Sequence, residues 1–182
     1  MKIVSAKTKY NKEIVENLKK ELGYKNNMSV PKIEKITINV GTGKFLKESE
    51  KIKEIQEALA VIAGQAPVKT KAKKAIAGFK TRAGLEIGMK ITLRGKKMWD
   101  FFDRLINVSI PRTRDFQGIK RSSVGRDGNL NLGIRDHVIF PEIVPEQVKF
   151  PFSLQVVISS TAKTQEEGMK LFELMGVPFN KK

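Results

Sequence analysis

Alternating apolar and polar residues predict strands with one buried face in four parts of the chain. They cover residues 36–40, 87–93, 130–134 and 154–158, each with apolar residues at every second position. A period of two is typical of a strand that lies on a core with one face. The second stretch gives the clearest signal, with Ile87, Met89, Ile91 and Leu93 in alternation. A shorter strand over Pro67–Lys71 is expected to pair with it as a hairpin.

Helical spacing of apolar residues separates these strands. The pattern predicts a helix through Ile14–Leu22 and another over Ser49–Ala63, each followed by a glycine that ends it. A third is predicted over Met98–Val108, and a capping box at Thr164–Glu167 opens a last one. This order predicts an α+β fold in one domain over residues 1–182. We expect a mostly antiparallel sheet of about five strands, with helices packed on one face and a long basic hairpin loop.

That loop, residues 69–84, is the most unusual part of the chain. It carries only basic charges, and no Asp or Glu occurs between Glu57 and Glu86. A block of like charge cannot be buried, so it lies in water or on an anionic partner. Phe79 beside Gly78 adds a ring that can stack on a base. A merely solvated basic loop is the alternative.

The whole chain is basic as well. Its 35 Lys and Arg against 19 Asp and Glu give a formal charge of +16 over 182 residues. Such an excess points to nucleic acid or an acidic membrane surface. The chain has no apolar span or basic amphipathic helix that suits a membrane. The absence of cysteine and of a signal-like N-terminus favours the cytoplasm.

Patterns that would indicate catalysis do not fit. Gly41–Lys44 lacks the spacing and the following Ser or Thr of a phosphate-binding loop. His137 is the only histidine, and its neighbour Asp136 should point to the opposite face of a strand. We therefore predict that the protein is not an enzyme and needs no metal or cofactor.

Several motifs in register resemble one known family. They are Gly64–Pro67, Thr70–Lys80, Ile87–Gly95, Met98–Ile106, Pro111–Gly118, Ile139–Ile143 and Thr161–Glu167. Together they closely resemble the large-subunit ribosomal protein five family of bacteria, from about Tyr10 to Phe179. The resemblance implies a structural constituent of the large subunit that binds 5S rRNA in the central protuberance, beside 23S rRNA and other proteins of that region. It also implies a monomer within the cytoplasmic ribosome.

The resemblance assigns roles to particular residues. The family's 5S rRNA contacts fall here on Asn39, Gln65, Phe79, Thr92 and Arg94. Contacts to the elbow of the P-site tRNA fall on the loop, at Lys69, Lys71, Lys73, Lys74, Ala77, Gly78, Lys80 and Arg82. An intersubunit bridge to small-subunit ribosomal protein thirteen is implied for Arg112, Arg114 and Asp115.

One segment departs from the family pattern. Before the fourth strand the family has Ser-Phe-Asp-Gly-Arg-Gly-Asn, whereas residues 122–129 read Ser-Ser-Val-Gly-Arg-Asp-Gly-Asn. The change affects the contacts that this loop is expected to make, including those of the bridge. It leaves the residues expected to bind 5S rRNA unchanged. Two rival hypotheses remain: a nonspecific nucleic-acid-packaging protein and an RNA-modifying enzyme with an unrecognised site.

Overall fold

Helices and strands follow one another along the chain in the predicted order. The computed structural model describes residues 5–46, 48–79 and 81–180. Helices are α1 (Ala6–Lys9), α2 (Val15–Leu22), α3 (Ser49–Ala63), α4 (Gly95–Arg104) and α5 (Gln165–Leu174). Strands are β1 (Ile33–Gly41), β2 (Val68–Lys71), β3 (Glu86–Leu93), β4 (Leu130–Ile134) and β5 (Leu154–Ser160). The predicted α+β class is confirmed.

The strands of the described residues form a single sheet of five. Their order is β2-β3-β1-β5-β4, and the sheet is antiparallel. Strand β2 lies at an edge, where Lys69 and Lys71 are exposed. Charged residues at an edge strand discourage pairing with another chain.

Burial alternates along each long strand as the sequence predicts. In β1, Ile36, Ile38 and Val40 are buried, whereas Asn39 between them is exposed. In β3, Ile91 and Leu93 are buried while Lys90 is exposed. Because neighbouring side chains of a strand point to opposite faces, one face carries the core and the other is open to partners.

The first helix is longer than predicted. Helix α1 continues through a π-helical turn, Tyr10–Ile14, into α2, and Gly23 ends it with a φ of 69°. Tyr10 is buried, and its hydroxyl donates a hydrogen bond to the carbonyl oxygen of Pro31 at 3.0 Å. The π turn shifts the helical spacing, which explains why the apolar pattern located only the second half.

The helix predicted over Met98–Val108 begins three residues earlier, at Gly95, and its last part is a π-helical turn, Leu105–Ser109. Its first turn carries the exposed Lys96 and Lys97, so no apolar signal marks its start. By contrast, α3 spans the predicted residues and ends at Gly64, which has a φ of 64°.

Two compact units can be distinguished in the chain. One comprises Met1–Ile36, Leu93–Leu132 and Val157–Lys182, and its core includes Leu18, Phe101 and Phe172. The other comprises Thr37–Thr92 and Gly133–Val156, and its core includes Ile38, Leu59 and Phe140. The single-domain organisation over 1–182 stays a prediction.

The loop that departs from the family pattern is held firmly at its end. The Ser160 hydroxyl donates to the carbonyl oxygen of Gly128 at 2.7 Å, and the Ser160 amide donates to Asn129 Oδ1 at 2.9 Å. Gly128 has a φ of 68° and packs on Gly168 at the start of α5. A Cβ added to Gly168 would lie 2.6 Å from both the Cα and the carbonyl oxygen of Gly128. The two backbones therefore approach too closely for a side chain at residue 168.

We expect Gly168→Ala to lower the free energy of unfolding by about 1–3 kcal/mol, the usual cost of overpacking. Gly133→Ala is the matched control, because a Cβ there meets nothing within 4 Å. Urea unfolding of both variants measures the difference. An unchanged midpoint for Gly168→Ala would contradict the close approach.

Candidate nucleic-acid interface

The basic loop is the end of a regular hairpin. Strand β2 pairs with β3 in the register Val68↔Lys90 to Lys71↔Glu86, with an irregularity after Thr70. Backbone hydrogen bonds between Ala72 and residues 84 and 85 continue the ladder toward the tip. The predicted hairpin between Pro67–Lys71 and the long strand is therefore confirmed.

The tip of the hairpin is itself ordered by backbone hydrogen bonds. Ile76 and Thr81 exchange two of them, at 3.1 and 3.2 Å, and enclose a 3₁₀ turn at Ala77–Phe79. The turn contains Gly78, and it leaves the Phe79 ring 76% exposed. An exposed ring at the end of a protruding hairpin is placed to stack on an unpaired base.

Most basic side chains of the loop face solvent. Lys71, Lys73, Lys74 and Arg82 are exposed, whereas Lys80 lies outside the described residues. Lys69 differs from them, because its Nζ is 2.8 Å from Glu86 Oε2. That ion pair offsets part of the positive charge at the base of the hairpin.

The candidate 5S rRNA residues of β1 and β3 have the predicted orientation. Asn39 is exposed and Thr92 half-buried, each between two buried neighbours. The exposed Gln65 follows α3, and its Nε2 donates to the carbonyl oxygen of Thr92 at 3.4 Å. The fold thus brings Gln65 and Thr92, which are distant in sequence, into contact.

Arg94 follows β3 and belongs to the other unit. Its Nη1 is 3.4 Å from Glu34 Oε1, and the two side chains are 58% and 49% exposed. An exposed pair of this kind contributes little to stability. The sequence interpretation did not identify Glu34 as the partner of Arg94. The negative charge of Glu34, in the predicted neighbourhood of β1, was the one available signal.

The candidate bridge residues lie in an exposed loop. Arg112, Arg114 and Asp115 all face solvent, and Asp115 has a φ of 54°. Arg114 Nε is 3.9 Å from Asp115 Oδ2. These three side chains are therefore accessible to a partner protein.

An acidic groove is a second surface that the sequence did not indicate. It has a volume of about 210 Å³ and is lined by Glu54, Glu57 and Glu142 together with His137 and apolar side chains. Carboxylates repel phosphate, so this groove is unsuited to RNA. Its three acids come from α3 and from a distant loop, so no local sequence pattern joins them.

His137 is a packing residue of the core. It opens a 3₁₀ turn, His137–Ile139, and so does not lie in a strand as the sequence interpretation assumed. Its ring stacks on Phe152 with centroids 3.9 Å apart, and Nδ1 accepts a hydrogen bond from the Phe152 amide at 3.3 Å. Burial is the largest influence on His137 and lowers its pKa.

Neither a metal site nor a membrane span is found in the described part of the chain. Over residues 5–46, 48–79 and 81–180, no three His, Cys, Asp or Glu side chains are grouped to hold a metal ion. No helix among these residues is long and apolar enough to cross a bilayer.

Acid should destabilise the fold through His137. Since its folded pKa lies below the ordinary value of 6.5, the unfolded chain binds more protons, and the free energy of unfolding falls as pH drops below that value. His137→Asn removes the titrating group and keeps an acceptor. Chemical unfolding at about pH 8 and about pH 5 should show a smaller loss for the variant than for wild type. Equal losses would contradict a histidine held neutral by burial.

Comparison with protein families agrees with the resemblance in the sequence. The model described as ribosomal protein L5 matches residues 26–82, and the model for the C-terminus of the same ribosomal protein family matches residues 86–179. The two matches are separated by three residues, 83–85, and together include most of the hairpin, both strands of the sheet face and the candidate bridge loop.

Curated relatives cover almost the whole chain. The large ribosomal subunit protein uL5 of Kosmotoga olearia is 48% identical over 178 residues, which are 98% of this chain and 97% of the relative. The protein of the same name from Geotalea daltonii is 49% identical over 93% of this chain and 95% of its own length. That from Desulforamulus reducens is 46% identical over 96% and 97%. The chain therefore belongs to the uL5 family of ribosomal proteins, non-enzymatic structural constituents of the large subunit that act in the cytoplasm as part of the ribosome.

Proposed function

We propose that the protein binds 5S rRNA in the central protuberance through Asn39 and Thr92 on the open face of β1 and β3, and through Gln65, Arg94 and Phe79 outside these two strands. The observation that carries the proposal is the hydrogen bond of 3.4 Å from Gln65 Nε2 to the carbonyl oxygen of Thr92, which joins Gln65 to a strand whose Ile91 and Leu93 are buried. Amide, hydroxyl and guanidinium groups on an open sheet are suited to the edges and phosphates of unpaired nucleotides.

The basic hairpin has a separate task in this proposal. Lys71, Lys73, Lys74 and Arg82 protrude into solvent, and they would meet the phosphates of the P-site tRNA elbow together with Ala77, Gly78 and Lys80. Lys69 is the weakest member of the set, because Glu86 already pairs with it. Contacts with 23S rRNA use the remaining positive surface of the protein, which acts as a monomer within the ribosome.

A third proposed contact joins the two subunits. The exposed Arg112, Arg114 and Asp115 would meet small-subunit ribosomal protein thirteen across the intersubunit bridge. Their exposure and the family membership of the chain support this assignment.

The mechanism is binding without chemistry. Each lysine or arginine that neutralises a phosphate releases counterions, so affinity falls as salt concentration rises. Specificity comes from hydrogen bonds to base edges and from ring stacking, which depend less on salt. Family membership favours this ribosomal role over nonspecific packaging of nucleic acid and over an RNA-modifying activity.

We expect Arg94→Ala and Asn39→Ala each to weaken 5S rRNA binding while the fold survives, because both side chains are solvent-accessible. Loss of a charge-assisted hydrogen bond costs about 1.5–3 kcal/mol, or about ten- to a hundredfold in affinity for Arg94→Ala. The loss for Asn39→Ala should be smaller. Filter binding at constant salt measures both.

Arg126→Ala is the matched control, because it removes the same charge from another exposed arginine. It should lower the affinity for 5S rRNA only by the small, nonspecific effect of removing one positive charge. Wild-type affinity for both sheet-face variants, or an equal loss for the control, would contradict the proposed face.

Charge reversal at the hairpin should separate the two RNAs. We expect Lys73→Glu combined with Lys74→Glu to weaken tRNA binding at least tenfold, about the effect of losing two phosphate contacts, and to leave 5S rRNA binding within about threefold. Lys12→Glu combined with Lys20→Glu changes the net charge equally on exposed helical positions. Competition between labelled tRNA and 5S rRNA provides the measurement, and equal losses for both RNAs would refute the division of labour.

A further inference from the structure

An apolar groove beside the hairpin is lined by Phe79 and by residues, such as Phe45 and Phe152, that have no role in the contacts proposed so far. It has a volume of about 600 Å³ and lies within the unit that contains α3 and β2. Phe45, Phe79, Ile76 and Phe152 line it, with the backbones of Gly41 and Gly43 at the end of β1. Grooves of this volume accommodate a group as large as a nucleotide.

Aromatic rings extend from the wall of the groove into the core. The rings of Phe45 and Phe150 have centroids 5.4 Å apart, and those of Phe150 and Phe152 are 6.5 Å apart. Phe152 in turn stacks on His137. Lys51 Nζ lies 5.5 Å from the centre of the Phe45 ring and 5.4 Å from that of Phe150. Phe45 is therefore fixed by its neighbours and needs little reorganisation to meet a ligand.

The opposite wall belongs to the ordered tip of the hairpin. Ile76 is 50% exposed, and the Phe79 amide donates to its carbonyl oxygen at 3.3 Å. This hydrogen bond and the Ile76–Thr81 pairing fix the backbone that carries both apolar side chains. Two large apolar groups kept at the surface are costly in water unless a partner covers them.

Charge around the groove selects the chemistry of that partner. Among the described residues that line it, the single charged side chain is Lys44, and none is acidic. A flat apolar group that carries negative charge suits both the aromatic rings and Lys44, and a nucleotide is such a group.

We propose that this groove binds an unpaired nucleotide of 5S rRNA, with the base against Phe45 and Phe79 and its phosphate near Lys44. The proposal rests on the proposed 5S rRNA binding and adds a pocket for one base to the hydrogen-bonding face of the sheet. Phe79 then serves as a wall of a pocket and not as an isolated stacking platform.

Phe45→Leu tests the pocket, because it keeps an apolar side chain and removes the ring. Loss of base stacking should weaken 5S rRNA binding about five- to a hundredfold. Phe116→Leu is the matched control, since Phe116 is half-buried and does not line the groove. Thermal unfolding of both variants confirms that they fold.

A second measurement uses the unaltered chain. Ultraviolet cross-linking to 5S rRNA, followed by mass spectrometry, should place a cross-linked nucleotide on a peptide that contains Phe45 or Lys44. Wild-type affinity for Phe45→Leu with cross-links confined to other peptides would overturn the pocket, while losses for the Arg94 and Asn39 variants would leave the sheet-face proposal standing. A wild-type chain that does not bind 5S rRNA would overturn both.

Discussion

Burial of one face of the antiparallel sheet is the constraint on which the rest of the structure depends. Ile36, Ile38 and Val40 of β1 and Ile91 and Leu93 of β3 are all nearly inaccessible to water. A shift of one residue in either strand would expose these side chains and bury Asn39 or Thr92, so the register is strongly fixed. The same burial that stabilises the fold therefore determines which polar groups remain available to RNA.

The positive charge of the protein is divided between surfaces with different physical consequences. The hairpin carries lysines and an arginine, and residues 58–85 contain no carboxylate. Its attraction for nucleic acid would depend strongly on salt concentration and little on nucleotide sequence. On the sheet, amide and hydroxyl groups are fixed by a rigid backbone, and Arg94 already has a carboxylate, Glu34, within 3.4 Å. In the proposed complex, RNA would compete with Glu34 for that guanidinium. The acidic groove of Glu54, Glu57 and Glu142 would repel phosphate, in keeping with the proposal that RNA binds the other surfaces.

Local periodicity predicted most helices and strands, but it could not predict contacts between residues that are distant in the sequence. The alternation in 36–40 and 87–93 gave the open face, and the apolar stripe with Gly64 gave α3 residue by residue. The π turn Tyr10–Ile14 was missed because it interrupts the spacing on which helix prediction depends, whereas the π turn Leu105–Ser109 lies at the end of a helix that the sequence did predict. The pair of Lys69 with Glu86, the packing of His137 on Phe152 and the groove of Phe45 and Phe79 join residues 15 or more positions apart, so a pattern in one stretch of sequence cannot show them.

Specific recognition of 5S rRNA is the central claim, and a competition titration tests it most directly. The full chain would be titrated against labelled 5S rRNA in a gel-shift assay at two salt concentrations, with unlabelled tRNA and duplex DNA as competitors. We predict tight binding that persists at the higher salt and that neither competitor displaces at equal mass. Two results would contradict the account: loss of binding at the higher salt, or displacement of the labelled 5S rRNA by duplex DNA as readily as by unlabelled 5S rRNA. Either result would show that binding depends only on the positive charge of the protein.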